Sequence, residues 1–323
     1  MRTPLPVGTH LTLSAIGTQH QITVQIQELI GTGASCLVYT AVCRDGEQNE
    51  FYLRLKEFCP ENLHLIRQQD GNLLAADEEA FQRQMQSFIW GYQKQMQFRQ
   101  FPESCNSISN VQGIFAGNGT RYIAMNCQNS IPLEQQELSL YDTFRVLRAV
   151  AQQLDNLHQH GYLYLDLKPA NVLLYPETPE LVMLFDFDSA IEKSRLSDAV
   201  ISCTAKWAGP EVLQQNRRRI GVVSDVYTLG GLLLYLLFRR APEVKDRRNR
   251  AVWDTEFPDS VLAGTAPEIR RMVTELLRKT LAANPEKRYA SCAELLTQIE
   301  PFLDSFQQPK PYLQTKLPLG NNY

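Results

Sequence analysis

Two short stretches of the sequence carry side chains that could transfer a phosphoryl group. The first reads YLDLKPAN and places a carboxylate, an amine and an amide at Asp166, Lys168 and Asn171. The second reads FDFD, and its first carboxylate is Asp186. Phosphoryl transfer needs an acid that orients the attacking hydroxyl and a pair of oxygen ligands that hold Mg²⁺ on phosphates. These four residues supply both requirements.

Both stretches resemble the catalytic and metal-binding segments of the eukaryotic-type (Hanks-type) serine/threonine protein kinase family, whose patterns are HRDLKxxN and DFG. The resemblance extends over roughly residues 22–302. The altered motifs of this chain are similar to those of bacterial members of the family. It implies that Asp166 orients the hydroxyl and that Lys168 neutralises the γ-phosphate. It also implies that Asn171 and Asp186 bind Mg²⁺.

Two departures from the family pattern affect what these segments are expected to do. Tyr164 and Leu165 stand where the family has His-Arg, and Asp188 stands where it has the glycine of DFG. In many members of the family, that arginine binds a phosphorylated activation loop. Leu165 therefore predicts activity that does not depend on phosphorylation of the loop.

The amino-terminal third resembles the nucleotide-binding part of the same family. Gly31-Thr-Gly-Ala-Ser-Cys36-Leu-Val38 is similar to the glycine-rich loop GxGxxGxV, and glycines let a backbone approach phosphates closely. Lys56 at the end of a predicted strand matches the phosphate-pairing lysine, which makes it a third catalytic residue beside Asp166 and Lys168. The residues that the resemblance implies for binding ATP are Gly31, Gly33, Val38, Lys56, Asn126, Cys127, Asn171 and Asp186.

Three positions, Gly91, Arg54 and the Asp188 that replaces the DFG glycine, favour an alternative function, that of a pseudokinase acting as a nucleotide-binding or protein-interaction scaffold. Gly91 matches the helix glutamate that pairs with the lysine in the family, and glycine cannot supply a charge. Arg54 shares a strand face with Lys56, at a position where the family usually has alanine against adenine. The preferred function remains ATP- and Mg²⁺-dependent transfer to Ser or Thr of a protein substrate.

The carboxy-terminal part resembles the substrate-docking segment of protein kinases, which small-molecule kinases of related fold lack. Thr204 begins a segment that ends at Gly209-Pro210-Glu211. Glu211 is expected to pair with Arg288, and Asp225 is expected to brace the catalytic loop. Lys168 together with Thr204 matches the serine/threonine-specific version of the family. The run Arg217–Arg219 is expected to be a solvated face rather than a partner site.

The order of predicted elements indicates an α+β fold with two lobes, a small β-rich one and a larger helical one. The boundaries are expected at residues 1–126 for the first lobe, 127–302 for the second and 303–323 for a proline-containing tail. The kinase resemblance implies ATP in the cleft between the lobes. The apolar periodicity predicts strands at 11–13, 22–26, 36–42 and 51–55, hairpins over 111–125 and 172–185, and helices at 78–100, 144–157, 224–237, 266–280 and 291–302.

Composition excludes several other classes of protein. With 323 residues, 44% hydrophobic and 21% charged, the chain is ordinary for a globular protein with two cores. A net charge of −3 gives no reason to expect nucleic acid or an anionic membrane. Seven cysteines without a CxxC pair favour reduced thiols and a cytoplasmic location. The apolar run Leu229–Phe238 is too short to span a bilayer.

Overall fold

The computed structural model describes residues 2–44, 50–100, 110–126, 130–175, 177–178, 181–247, 253 and 255–305. These residues form two compact units, one made of the described residues up to 126 and the other of those from 130 onward. Most of the expected tail, 303–323, lies outside the described residues, as do three residues of the predicted hairpin over 172–185.

The first unit is built around a closed six-stranded barrel. Its strands follow one another in the order β1-β2-β3-β4-β8-β7, each paired to its neighbours. Strand β1 closes the barrel because Ser14 pairs with Gln21 of β2 on one side and with Ala116 of β7 on the other. Closure removes the unpaired edges of an open sheet. The strands are β1 His10–Ala15, β2 Gln21–Thr32, β3 Cys36–Arg44, β4 Glu50–Phe58, β7 Asn110–Gly117 and β8 Thr120–Asn126.

Between β4 and β7 the chain adds a short hairpin and one long helix. Strands β5 (Leu65–Arg67) and β6 (Leu73–Ala75) pair with each other, and helix α1 follows at Glu78–Phe98. The Asp77 carboxylate caps α1 by accepting a hydrogen bond from the Ala80 amide at 2.9 Å. The buried face of α1 includes Phe81 and Phe88, whose rings each lie 5.3 Å from the ring of Phe58 at the end of β4. Aromatic packing thus fixes the helix against the strand that carries Lys56.

The barrel encloses a buried ion pair. Strand alternation turns Glu57 away from the face of Lys56 and into the interior, where its side chain is fully buried. Arg67 of β5 lies 2.7 Å from Glu57 Oε2, and the hydroxyls of Tyr39 and Tyr122 donate to the same carboxylate at 3.0 and 2.6 Å. Burial, together with the Glu57 charge, raises the pKa of both tyrosines, so both remain protonated donors.

The second unit is mainly helical. Helix α4 is apolar around most of its circumference and is buried, and α2 packs against it and against α6. Gly230 of α4 allows close approach of α5, because a side chain there would collide with Thr280. The helices are α2 Leu140–Gln159, α3 Pro210–Leu213, α4 Val222–Phe238, α5 Pro267–Thr280 and α6 Cys292–Ser305; the strands are β9 Ile131–Pro132, β10 Tyr162–Leu163, β11 Val172–Leu174, β12 Val182–Leu184 and β13 Ile191–Glu192.

The predicted long elements correspond to observed ones. Helices are found at each predicted position, with ends that differ by a few residues, and both predicted hairpins form. The sequence did not predict the β5–β6 hairpin or the closure of the barrel by β1. None of the helices in the described part of the chain is both long and apolar enough to cross a membrane.

We expect Arg67→Met to destabilise the barrel by about 3–5 kcal/mol, because it leaves the Glu57 charge buried without its partner. The double variant Glu57→Gln/Arg67→Met should recover most of that loss. The measurement is hydrogen exchange of the barrel amides, which reports local free energies of opening.

Arg44→Ala is the matched control for this ion pair. Arg44 pairs with Glu50 at 2.8 Å on the barrel surface, where both side chains are largely solvated. Its removal should change the free energy of opening by less than about 1 kcal/mol. Equal effects of Arg67→Met and Arg44→Ala would contradict a stabilising role for the buried pair.

Candidate active site

Three donors hold the carboxylate of Asp166. Lys168 Nζ lies 2.8 Å from Oδ2, Asn171 Nδ2 lies 3.2 Å from the same oxygen, and the Thr204 amide donates to Oδ1 at 2.8 Å. Asp166 is 7% exposed, so these bonds orient a nearly buried acid. Lys168 Nζ also donates to Thr204 Oγ1 at 2.7 Å. The predicted residues Asp166, Lys168 and Asn171 are therefore in direct contact, and Thr204 joins them from a distant part of the chain.

The β11–β12 hairpin brings Asn171 and Asp186 to one end. Val172 pairs with Leu184, and the Phe185 amide donates to the Asn171 carbonyl at 3.2 Å, directly before Asp186. The Asn171 Nδ2 donates to the Asp166 carbonyl at 2.9 Å and to its carboxylate at 3.2 Å, which orients the Asn171 amide. Two oxygen ligands suit Mg²⁺, which retains waters and substrate phosphates as its other ligands. No cluster of three or more His, Cys, Asp or Glu that could hold a metal occurs in the described ranges.

Tyr164 links the predicted catalytic loop to the predicted metal-binding segment. Its hydroxyl donates to the Phe185 carbonyl, and its ring packs edge-on against Phe187, with ring centroids 5.2 Å apart. Tyr164 and Phe187 are both buried. Burial and the charges of Asp186 and Asp166 raise the pKa of Tyr164 well above its ordinary value, so it stays a donor. The sequence marked Tyr164 only as a departure from histidine.

Asp225 braces the catalytic loop, as predicted. Its fully buried carboxylate accepts hydrogen bonds from the Tyr164 amide at 2.9 Å and the Leu165 amide at 2.7 Å. His158 Nε2 of α2 lies 2.8 Å from the same carboxylate. These bonds attach the loop to both α2 and α4. They also help to hold Leu165 at a φ of 65°, which side-chain-bearing residues adopt rarely.

The predicted pair between Glu211 and Arg288 is also confirmed. Two bonds join the guanidinium to the carboxylate at 2.7 and 2.8 Å, and both side chains are buried. Arg288 also donates to the carbonyls of Ala282 and Val223, both at 2.9 Å. Bidentate geometry and further acceptors are what a buried ion pair needs to offset desolvation. The pair fixes the end of the segment that begins at Thr204.

An apolar cluster surrounds Leu165, where the family has arginine. Leu165 is 1% exposed and packs with residues between Asp186 and Glu211, here called the activation segment. The cluster contains Leu163, Leu165, Ile191, Ile201, Ala208, Val212 and Ile220. The activation segment is therefore held by burial of apolar surface rather than by a charge that would require a phosphate partner.

Arg217 adds a polar attachment for the same segment. Its Nη1 donates to the carbonyls of Leu196 and Ala199, the latter at 2.8 Å. The expectation that Arg217–Arg219 is a solvated face is wrong for Arg217, whose bonds to both carbonyls are partly buried. Arg218 remains exposed, and Arg219 is half-exposed and contacts Asn284. The charge pattern of the sequence could not distinguish the three arginines.

In the first unit, cross-strand pairing aligns most of the predicted nucleotide-binding residues. Gly31 lies opposite Val38, Val38 opposite Lys56, and Lys56 opposite Ile123. Residues directly opposite in an antiparallel sheet share a face. A Cβ at Gly31 would lie 3.6 Å from that of Val38, an ordinary contact, so neighbouring atoms do not require the glycine.

The surroundings of Lys56 differ from the family pattern. Its Nζ lies 5.7 Å from the centroid of the Phe88 ring, which places an aromatic face of α1 beside the ammonium. Gly91 is one turn further along the same buried face. The only two glutamates of α1 bond within the helix, Glu78 to Gln82 at 2.7 Å and Glu79 to Arg83 at 3.2 Å.

Arg54 of β4 lies beside the end of β8, which carries the predicted nucleotide-binding residue Asn126. Arg54 pairs with Thr40 on one side and with Met125 on the other, and the next residue of that strand is Asn126, at the end of β8. Gly33 lies in the turn that joins β2 to β3. Cys127 lies outside the described residues.

Comparison with known proteins identifies the family. A family model of the protein kinase domain matches residues 93–299, more than half of the chain, and the chain therefore belongs to the protein kinase domain family. The match begins within α1, so the barrel strands β1–β4 and Lys56 precede it. The predicted resemblance to this family is confirmed.

The curated relatives of this chain include bacterial serine/threonine kinases. The serine/threonine-protein kinase PknB of Mycolicibacterium smegmatis is 30% identical over 158 residues, which cover 46% of this chain and 24% of that protein. PknD of Protochlamydia amoebophila is 25% identical over 189 residues, or 51% of this chain and 19% of that protein. The chain thus matches about a quarter or less of these relatives' length.

A solved structure shows that the fold extends over nearly the whole chain. The kinase domain of Mycobacterium tuberculosis PknI superposes with a TM-score of 0.54 at 20% sequence identity, covering 93% of this chain and 99% of that one. The predicted protein-kinase fold is confirmed.

We expect Arg217→Ala to loosen the activation segment between residues 193 and 203. Two bonds from a charged donor are lost, each contributing about 1.5–3 kcal/mol. Hydrogen exchange of amides in this segment should accelerate at least about tenfold. Arg218→Ala is the control, because the neighbouring side chain is exposed, and it should leave the exchange rates unchanged. Unchanged rates in Arg217→Ala would contradict the attachment.

Proposed function

We propose that the chain transfers the γ-phosphate of ATP to a serine or threonine hydroxyl of a protein substrate, with Mg²⁺ as cofactor. The observation that carries this proposal is the Asp166 carboxylate, held by Lys168, Asn171 and the Thr204 amide. A hydroxyl nucleophile needs an oriented acceptor for its proton, and the three hydrogen bonds that orient Asp166 support its assignment to that role. Lys168 supplies positive charge beside it, where negative charge develops on the transferred group.

Asn171 and Asp186 would hold the Mg²⁺, which neutralises charge on the phosphates when bound. The shared end of the β11–β12 hairpin supports this assignment, since it brings two oxygen ligands together. Lys56, Gly31, Gly33 and Val38 would contact the nucleotide in the first unit. The row that joins Gly31, Val38 and Lys56 on one face supports that part of the proposal.

Two features support a protein substrate with a serine or threonine acceptor. The segment from Thr204 to Glu211 is fixed by the buried Glu211–Arg288 pair, and Thr204 contacts both Asp166 and Lys168. The named relatives PknB and PknD are serine/threonine kinases. We extend that specificity to this chain as part of the proposal.

A scaffold function is the second candidate, and the surroundings of Lys56 favour it. In an active member, the lysine that pairs with phosphates is oriented by a helix glutamate. Here the Phe88 ring of α1 lies near the Lys56 ammonium, Gly91 stands where the family has the glutamate, and the two glutamates of α1 bond to residues one turn along their own helix. A scaffold of this kind would bind nucleotide or a partner without transferring phosphate.

We expect Asp166→Asn to lower the rate of phosphate transfer by about 10²–10⁴-fold, because the amide cannot accept the proton. The assay follows radiolabelled ATP with Mg²⁺ and a generic protein substrate. Nucleotide affinity, measured separately by fluorescence, should remain within about twofold of the wild type. Asp259→Asn replaces an exposed carboxylate far along the chain and should leave the rate unchanged.

The outcomes of this assay separate the two candidates. Equal labelling by wild type and Asp166→Asn would contradict the proposed phosphate-transfer activity. Wild-type protein that binds Mg-ATP but labels nothing would support the scaffold. Labelling restricted to tyrosine would contradict the serine/threonine assignment.

We also expect phosphatase treatment to leave the transfer rate within about twofold of the untreated protein. The activation segment is held by the cluster around Leu165 and by Arg217, and neither contact involves a phosphate. The protein is treated, separated from the phosphatase and assayed with the same substrate. Loss of turnover on dephosphorylation would contradict this expectation.

A further inference from the structure

The glycine-rich turn between β2 and β3 is fixed through its own carbonyl groups. Gly33 N donates to the Cys36 carbonyl at 2.9 Å, which closes the turn. The Ser35 carbonyl accepts from the Cys59 amide at 2.9 Å, and the Ala34 carbonyl accepts from the Glu61 amide at 2.8 Å. The turn is thus bonded along its length to the chain that continues from β4.

Arg2 supplies the remaining attachment. Its Nη1 donates to the Gly33 carbonyl at 2.7 Å, to the Cys59 carbonyl at 2.7 Å and to the Cys36 carbonyl at 3.4 Å. One guanidinium therefore joins both ends of the turn to the segment after β4. The Arg2 side chain is only 11% exposed, and the Glu61 carboxylate lies 4.0 Å from its Nη2.

The amino-terminal segment that carries Arg2 is itself held by the barrel. The Thr3 carbonyl accepts from Arg67 Nε at 2.7 Å, and the Leu5 amide donates to the Tyr39 hydroxyl at 3.1 Å. Leu5 is buried, and the Gly8 amide donates to the Ile26 carbonyl of β2 at 2.8 Å. Arg2 is consequently placed by the same buried network that contains Glu57.

With the turn's carbonyls engaged, its amides are the groups left to a ligand. Within residues 2–44 and the other described ranges, the N–H groups of Ala34 and Ser35 donate to no protein acceptor. Successive free amides in a turn bind anions. A Cβ atom at Gly33 would lie 3.9 Å from the Cys36 carbonyl oxygen, which is an ordinary contact. Neighbouring protein atoms therefore do not require a glycine at this position.

We propose that Arg2 is a positioning residue that holds the glycine-rich turn in a preformed state for the triphosphate. Kinase glycine-rich loops ordinarily close over the nucleotide on binding. Here the bonds of Arg2, Cys59 and Glu61 fix the turn beforehand, so that less conformational freedom is lost on binding. This inference rests on the proposed function for its consequence in catalysis, but the attachment of the turn does not.

The attachment is tested by hydrogen exchange of the full chain without nucleotide. We compare wild type with Arg2→Ala and Arg2→Lys, and use Arg83→Ala as the control because Arg83 is exposed and bonds to Glu79 within α1. Arg2→Ala should accelerate exchange of the Gly33, Cys59 and Glu61 amides at least about tenfold. Arg2→Lys keeps one donor group, so its exchange rates should lie between those of wild type and Arg2→Ala. The rates of Arg83→Ala should match those of wild type. Unchanged exchange in Arg2→Ala would overturn the proposal.

The catalytic consequence is tested by the dependence of transfer rate on ATP concentration. Arg2→Ala should raise KM for ATP about five- to tenfold with kcat within about twofold, and Arg2→Lys should recover part of the loss. A general loss of folding would instead lower the active fraction, and kcat, without changing KM. Unchanged KM together with faster exchange would overturn the role in nucleotide binding. A wild type that transfers no phosphate yet shows the exchange effect would contradict the proposed function and leave the attachment intact.

Discussion

The geometry of the candidate site depends on one buried carboxylate, that of Asp225. It accepts two consecutive amides of the catalytic loop and contacts His158, so three parts of the second unit meet at one charge. A fully buried charge is costly unless all of its partners are present, and that cost favours a single arrangement of the loop. The position of Asp166, one residue beyond those amides, follows from this arrangement.

The two units differ in whether short sequence motifs reveal the contacts that hold them together. In the second unit, the side chains that make the key contacts stand in short motifs that resemble those of the kinase family, so the resemblance could identify Asp166, Lys168, Asn171, Glu211 and Arg288. In the first unit the contacts join distant backbone groups, which no short motif records. The family match begins only at residue 93, although the fold itself extends over the barrel.

The features that the sequence could not predict depend on contacts between residues that are distant in the chain. Strand β1 was expected, but its second partner β7 lies about 100 residues away, and periodicity does not identify partners. Strands β5 and β6 have three residues each, too few for a periodic signal. Arg217 differs from Arg218 only in what it contacts, because both belong to one run of like charges. The hydroxyl of Tyr164 gains its role from a carbonyl that the chain reaches 21 residues later.

Backbone strain at Leu165 and Asp186 shows why the residues packed around them matter. Leu165 and Asp186 have φ values of 65° and 64°, a conformation that costs of order 1–3 kcal/mol for residues with side chains. Such strain persists only when the surroundings over-determine it. For Leu165, the surroundings that hold this conformation are the Asp225 carboxylate and the apolar cluster. For Asp186, the preceding Phe185 is bonded through both its amide and its carbonyl, and the following Phe187 is buried against Tyr164. The backbone conformation of Asp186, which carries the proposed metal-binding carboxylate, is thus stabilised by buried neighbours on both sides of it.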